Sequence, residues 1–294
     1  MKLLLHCKKF SREIIGQIID FVDNLTKSKH DIFFTKKFSE EINRQTSKHN
    51  ISVLNKVGIS HSKKKFDFLI CFGGDGTILD ATTIVQNTEI PIVGINIGRL
   101  GFLATISKNE ISSLMNHLEN KNYSLSRRTL IEICEGNSEI DFPYSLNEIS
   151  VSSKENSSMI NIKVFLNDKY LNTYWADGLI VSTPTGSTGY SLSCGGPIVM
   201  PKSNNFIITP IAPHNLNVRP LVISDKNIIR LEIIESKTRK FLLSMDSRNY
   251  YVKQASCITI KKADYKINLL ELKNSTYSKT IREKLLWGLD TRNY

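Results

Sequence analysis

No two cysteines in this sequence have the spacing of a metal or redox pair. Cys7, Cys71, Cys134, Cys194 and Cys257 are odd in number and scattered, with no Cys-x-x-Cys. That argues against a structural zinc site and for a reducing compartment. Long apolar runs are also missing. None approaches the roughly 18 residues of a membrane span. The start, MKLLLHCKKF, has three leucines before His6 and Lys8. It is too short for a signal peptide and reads as a first strand. The sequons at Asn24, Asn156 and Asn274 are then read as chance. Basic residues outnumber acidic ones by 39 − 28 = 11, which admits anionic partners. Yet no arginine-rich stripe stands out, and aromatics are not paired with clustered basic residues, so no nucleic-acid partner is expected. Lys63–Lys65 reads as a solvated loop before a strand. No exposed amphipathic helix suggests a membrane partner. The usual nucleotide fingerprints are absent too. There is no Gly-Lys-Ser/Thr after a glycine loop and no Gly-x-Gly-x-x-Gly. A serine-hydrolase elbow fails because GYSLS ends in serine.

What is present is a globular chain of 294 residues, 40% hydrophobic and 23% charged, long enough for one large domain or two ordinary ones. KLLLH is a strand candidate. SREIIGQIIDFVDNL puts Ile14, Ile15, Ile18, Ile19 and Val22 on one helical face, with Ser11 as N-cap. DIFF is a second strand. Phe66–Phe72 lacks alternation, as a strand covered on both faces does. IPIVGINIG reads as another strand and ISKNEISSLMNHLEN as another helix. Strands alternating with helices imply a doubly wound, mostly parallel sheet, with ligands at the carboxyl ends of its strands. Near Tyr123–Arg128 the pattern changes. Ile160, Ile162, Val164 and Leu166 share one face, as do Ile229, Leu231 and Ile233, which predicts an antiparallel, β-rich second domain. CITIKKADYKINLLEL reads as two more strands. The tail YSKTIREKLLWGLD is helical, with Ile281, Leu285 and Leu286 near one face. The expected domains are 1–125 (α/β), 126–272 (β-rich) and 273–294, a tail packing back on the first domain.

Three stretches carry chemistry. In FDFLICFGGDGTILDATTIV a buried strand meets Gly73, Gly74 and Gly76, with Asp75 among them, and a helix follows. Glycines and a helix N-terminus suit a phosphorylated or hydroxylated ligand. A second anion would repel phosphate, so Asp75 has three readings: it caps the helix, holds a divalent cation, or orients a substrate hydroxyl and takes its proton late in the reaction. In ADGLIVSTPTGSTGYSLSCGGPIV a strand leads into a loop rich in hydroxyls and glycines, with Tyr190 offering a flat face. Such a loop either satisfies its own backbone or lines a ligand, and its glycine sites favour the ligand. In SLNEISV, Asn147 suits an amide or purine edge and Glu148 a sugar diol, unless the pair simply marks a turn. His214, Arg219 and Cys194 carry weaker signals. His214 and Cys194 read as structural, while Arg219 either holds a loop or reaches phosphate.

GGDGT, GINIGRLGFL, NE, DGLIVSTPTGSTGYSLSCGGP, PHNLNVRPLVI and DS (Asp246, Ser247) follow one another in an order that resembles the bacterial NAD kinase family. The resemblance covers about Phe66 to Trp287. GGDG by itself is shared with diacylglycerol, sphingosine and phosphofructokinase-like kinases, whereas DGLIVSTPTGSTGYS is far more specific. The resemblance implies an α/β domain followed by a β-rich domain, in the cytoplasm. It implies transfer of the γ-phosphoryl of ATP to the 2′-hydroxyl of the adenosine ribose of NAD. A divalent cation, Mg the expected one, and a homo-oligomer, dimer or tetramer, are implied with it. Asp75 would accept the 2′-hydroxyl proton, with Gly76 its backbone neighbour. Asn147 would contact adenine and Glu148 the ribose hydroxyls. Asp177, Thr188, Gly189, Tyr190, Ser191 and Ser193 would line the rest of the dinucleotide, and Arg248 is a further candidate. No metal residue is expected, because magnesium rides on nucleotide phosphates. Two positions depart from the family: Gly189, often alanine, and Arg248, often glutamine or histidine. The rival readings are a lipid kinase sharing the GGDG turn and a non-catalytic NAD or NADP binder.

Overall fold

The structure is a computed structural model. It describes residues 1–8, 14–45, 65–98, 101–135, 140–153, 159–234, 240–253, 257–273 and 276–287. Ser11, Lys63, Lys64, Asn156 and Asn274 lie outside the described residues. The chain forms two compact units, Met1–Arg127 with Ile267–Tyr294, and Arg128–Lys266.

The first unit contains β1 (Lys2–Cys7), α1 (Ile15–Thr26), β2 (Asp31–Phe34), α2 (Lys36–Gln45), β3 (Phe68–Phe72), α3 (Asp75–Val85), β4 (Ile92–Asn96), β5 (Ile106–Ser107) and α4 (Ile111–Glu119). Its strands run in the order β2–β1–β3–β4, each pair parallel. Every residue of β3 and β4 is buried, which is why the Phe66–Phe72 stretch does not alternate. On one face Leu3, Leu5, Ile70, Phe72, Val93 and Ile95 pack with Ile18, Val22 and Leu25 of α1 and Leu114 and Leu118 of α4. Fully burying each such side chain contributes roughly 1.5–3 kcal/mol. On the other face Gly94 leaves room for α3, since a Cβ there would lie 2.8 Å from Ile78 Cδ1. Helices therefore cover both faces, as the doubly wound reading expects.

Three local differences from the sequence reading have simple causes. α2 escapes a pattern search because its only apolar residues are Phe38 and Ile42, one helical turn apart on the buried side. The helix expected from Ile106 begins only at Ile111. Ser107 and Glu110 form a capping box, the Ser107 hydroxyl accepting from the Asn109 N–H and the Glu110 carboxylate from the Ser107 N–H. That box sets a 3-10 turn over Lys108–Glu110 and leaves Ile106–Ser107 to pair with β4. In the α1 face, Phe21 and Leu25 are buried while Ile19 is only half-buried.

The chain passes into the second unit within β6 (Tyr123–Glu135). Then come β7 (Tyr144–Ser145), β8 (Glu148–Ser153), β9 (Ile160–Leu166), β10 (Lys169–Ala176), β11 (Gly178–Ser182), α5 (Tyr190–Ser193), β12 (Asn205–Ile211), β13 (Leu221–Ser224), β14 (Ile229–Ile233), β15 (Lys240–Met245) and β16 (Arg248–Lys253). The chain returns through β17 (Cys257–Leu272) to α6 (Tyr277–Leu285). The β-rich unit has two antiparallel layers. One is β10–β9–β14–β17, the other β13–β12–β11–β8–β15–β16. Ile160, Ile162 and Val164 of the first layer meet Val151, Val181, Ile208 and Leu243 of the second in one core. This is the alternation seen in sequence, one face per layer.

β17 corrects the sequence reading, because CITIKKADYKINLLEL is one strand of 16 residues. It holds no glycine or proline to turn the chain. Its start pairs antiparallel with β14, Ile260 opposite Ile229, and its end pairs parallel with β4, Leu269 opposite Ile92. In α6, the Thr276 side chain accepts from the Lys279 N–H at 3.3 Å and Ile281 is buried. Leu286, expected on the buried face, is exposed because the helix ends there in a left-handed residue, φ 52°.

Candidate active site

β3 delivers the chain into Gly73 and Gly74. Gly74 takes the N-cap position with extended backbone and Asp75 is the first residue of α3. The capping reading of Asp75 does not hold, since no side chain caps this helix. Its carboxylate instead reaches the segment after β4. Oδ2 accepts from the Phe102 N–H at 2.8 Å, and Oδ1 from the N–H groups of Leu103 at 3.0 Å and Ala104 at 3.1 Å. A carboxylate offers about four lone-pair sites. Three are taken by the described residues, which leaves one on Oδ2. Gly101 makes the seat possible: a Cβ there would lie 1.9 Å from Asp75 Oδ1. Gly76 is exposed on the first turn of α3.

The same helix is tied to β1 by a group that sequence reasoning missed. The buried His6 ring places Nδ1 3.0 Å from Thr35 Oγ1 and Nε2 3.1 Å from Asp80 Oδ2. Lys37 Nζ donates to the same Asp80 oxygen at 2.8 Å, and Lys8 Nζ stands 3.9 Å from the other. Burial alone would raise the Asp80 carboxyl. The hydrogen bonds of His6 and Lys37, with the Lys37 and Lys8 charges, hold it well below the usual range. The only sequence signal was an isolated histidine at a strand end.

In the second unit Asn147 and Glu148 stand where β8 begins, opposite the β15–β16 hairpin. Asp246, first residue of its two-residue turn, has φ 52°. Its carboxylate accepts from three successive amides, Leu146 at 2.8 Å, Asn147 at 2.8 Å and Glu148 at 3.2 Å. Its own N–H donates to the Glu148 carbonyl at 3.1 Å. From the other side the Thr183 N–H donates to the Asn147 carbonyl at 2.9 Å, and the Thr183 hydroxyl to the Leu146 carbonyl at 2.6 Å. The backbone is satisfied, but the side chains are not. Asn147 Oδ1 and Glu148 Oε2 are both buried and find no hydrogen-bond partner among the described residues. Unmet buried acceptors are costly and point to a ligand that supplies donors. Burial pushes the Glu148 carboxyl up to about 8, the charge of Asp246 adds to the rise, and the Tyr190 N–H opposes it. Burial also raises the Asp246 carboxyl, against the pull of the Leu146, Asn147 and Glu148 amides and Arg248.

The glycine-rich loop packs beside this pair. A Cβ on Gly189 would lie 2.7 Å from Glu148 Oε2 and 3.4 Å from Asn147 Nδ2, so the family's frequent alanine would crowd that oxygen here. Tyr190 is 47% exposed, and the charge of Asp177, itself exposed between β10 and β11, is felt at its phenol. Several loop hydroxyls are engaged within the protein. Ser191 Oγ is buried against Thr209 Oγ1 at 2.8 Å, Thr188 Oγ1 donates to the Thr185 carbonyl, and Ser187 ties the loop to Val199. Ser193 is exposed. The Arg248 guanidinium donates to the carbonyls of Phe142 and Tyr144 and lies over the Phe142 ring, 4.9 Å from its centroid. His214 stacks on Trp175 at 4.0 Å between ring centroids, Arg219 donates to the carbonyls of Leu216 and Val218, and Cys194 is half-buried beside Tyr190.

Comparison with known proteins gives a consistent result. Residues 12–123 match the family model of the ATP-NAD kinase N-terminal domain and residues 146–272 that of the ATP-NAD kinase C-terminal domain. An NAD kinase of Cytophaga hutchinsonii is 43% identical over 297 residues, spanning 100% of both chains. One from Flavobacterium psychrophilum is 53% identical over 78% of this chain and 79% of its own. Among solved structures, an NAD kinase from Archaeoglobus fulgidus in complex with ATP aligns with TM-score 0.72 at 26% identity, covering 98% of each chain. Yeast NADH kinase complexed with NADH aligns with TM-score 0.89 over 100% of this chain and 89% of its own, and at 23% identity that likeness speaks for the fold.

Proposed function

The chain belongs to the NAD kinase family, and from that membership we propose that it transfers the γ-phosphoryl of ATP to the 2′-hydroxyl of the adenosine ribose of NAD, giving NADP and ADP. It is thus a phosphotransferase with an alcohol group as acceptor. The observation that carries the dinucleotide reading is the pair of buried, unpartnered acceptors Asn147 Oδ1 and Glu148 Oε2 beside Gly189. An adenine amine and a ribose diol bring the donors this pair lacks.

The remaining assignments belong to the same proposal. Asp75 orients the 2′-hydroxyl through its free Oδ2 site and takes the proton as the oxygen attacks phosphorus. Gly76 leaves the start of α3 open to the phosphoryl group. Tyr190 offers a stacking face, and Asp177, Thr188, Gly189, Ser191 and Ser193 shape the loop around the dinucleotide. Arg248 serves through its hold on Phe142 and Tyr144. The divalent cation is proposed to arrive on the donor's phosphates, neutralising them there. A homo-oligomer, dimer or tetramer, in the cytoplasm completes the reading. Trp175 and Leu216 stand exposed and offer a second copy apolar surface, which sedimentation tests.

The deciding assay supplies NAD, ATP and magnesium to the purified chain and detects NADP with an NADP-specific dehydrogenase. NADP formation is expected. A folded chain that binds NAD without turnover under varied donors and cations would make it a binder, and phosphorylation of a lipid instead would make it a lipid kinase.

A further inference from the structure

Asp246 occupies a position where a side chain is a handicap. The first residue of a two-residue hairpin turn favours left-handed backbone, and glycine or asparagine adopts it most easily. Aspartate is tolerated there at some cost, and its carboxylate makes three hydrogen bonds that glycine could not. These bonds are not scattered. They hold three consecutive residues, two of which carry the unpartnered acceptors. Arg248, two residues on, fixes the carbonyls of Phe142 and Tyr144, just upstream of the same segment.

We propose that Asp246 is a positioning residue for the dinucleotide, clamping the backbone of Leu146–Glu148 so that Asn147 and Glu148 meet NAD with their acceptors already aimed. This rests on the NAD kinase reading. Its second consequence is electrostatic. The groups facing Glu148 are Asp246 from the hairpin turn and, from the loop, the Tyr190 N–H and the Cys194 thiol; Arg248 faces Asp246, and Asp177 faces Tyr190. Asp246 therefore opposes ionisation of Glu148, and a ribose diol is accepted best by the ionised form.

The test is calorimetric binding of NAD from pH 6 to 9.5 by wild type, Asp246→Asn and Glu148→Gln, with NADP formation followed separately. Wild-type affinity should rise as pH climbs through about 8 and then level. Glu148→Gln should bind with no such step. In Asp246→Asn the amide turns donors toward donors. At pH 9.5, where Glu148 is ionised in either chain, affinity should fall roughly tenfold or more, and the step should move to lower pH. A merely structural residue would not move the step. Wild-type-like binding at pH 9.5 or an unmoved step in Asp246→Asn overturns the proposal. Should that variant not fold, a wild-type profile without a step, or a step that survives in Glu148→Gln, overturns it equally. NAD bound with the expected profile but no NADP formed would sink the kinase reading and leave the positioning role standing.

Discussion

Asp75 and Asp246 stand in different units, yet each carboxylate receives three consecutive backbone N–H groups, one on Oδ2 and two on Oδ1. The donors are Phe102–Ala104 in one unit and Leu146–Glu148 in the other. The settings differ. Asp75 lies between glycines at the start of a helix, with an exposed Gly76 beside it. Asp246 sits in a hairpin turn and faces a second carboxyl, Glu148. The same device thus serves two ends. At Asp75, in the proposed reaction, it leaves one lone-pair site for the reacting hydroxyl, and at Asp246 it organises the two neighbours proposed to bind the dinucleotide.

The comparison breaks most sharply at Asp75. Asp75→Asn should lower kcat about 10²–10⁴-fold, as loss of a proton acceptor does, and its NH2 group, facing the Phe102–Ala104 amides, should cost roughly 1–3 kcal/mol in chemical denaturation. Wild-type turnover would reduce Asp75 to the clamp role seen at Asp246. Next comes Gly101→Ala. Its Cβ would enter the space of Asp75 Oδ1, so the carboxylate must leave its three amides. Turnover should fall nearly as far, and chemical denaturation should reveal a stability loss of roughly 1–3 kcal/mol. Equal turnover in this variant would mean that the seat is dispensable for Asp75.

In the second unit the effects should fall on binding and on pH. Gly189→Ala crowds Glu148 Oε2, and we expect a rise in KM for NAD of roughly tenfold at most, with kcat little changed. The remaining effect concerns stability. The Glu148 carboxyl moves from 4.5 to about 8 on folding. Between these values the folded chain holds a proton that the unfolded chain has released. Stability therefore falls as pH rises through this window and is fully reduced above about 8. Glu148→Gln removes that slope, so its melting temperature should gain on wild type at pH 8.5 relative to pH 5. A difference independent of pH would show that Glu148 does not titrate in this window.

Much of this was legible in sequence where the chain states its environment in every residue. β3 read as buried because every residue of it is apolar, and β9 and β14 read as two-faced because they alternate. The glycines of the GGDGT turn marked Asp75, and SLNEISV marked Asn147 and Glu148 by interrupting a strand. What stayed hidden depends on partners distant in the chain. Nothing near Asp75 announces Phe102–Ala104, and nothing near Asp246 announces Leu146, 100 residues away. Asp246 entered only through the family resemblance. Ser191 illustrates the converse: nothing near it in sequence announces Thr209, whose hydroxyl it meets in the core.

β17 has a consequence for how the chain is made. The outer neighbour of β4 is Leu269, but 139 residues, Arg128 to Lys266, separate the two parts of the first unit. At about 5–20 residues per second, a ribosome needs roughly 10–30 s to cross that gap. Through that interval β5 covers the end of β4 at Ile95 and Asn96, but the start of β4 at Ile92 waits on the nascent chain with its outer edge unpaired, an adhesive surface, while the β-rich unit completes itself first. The half that carries Asp75 is begun first and finished last.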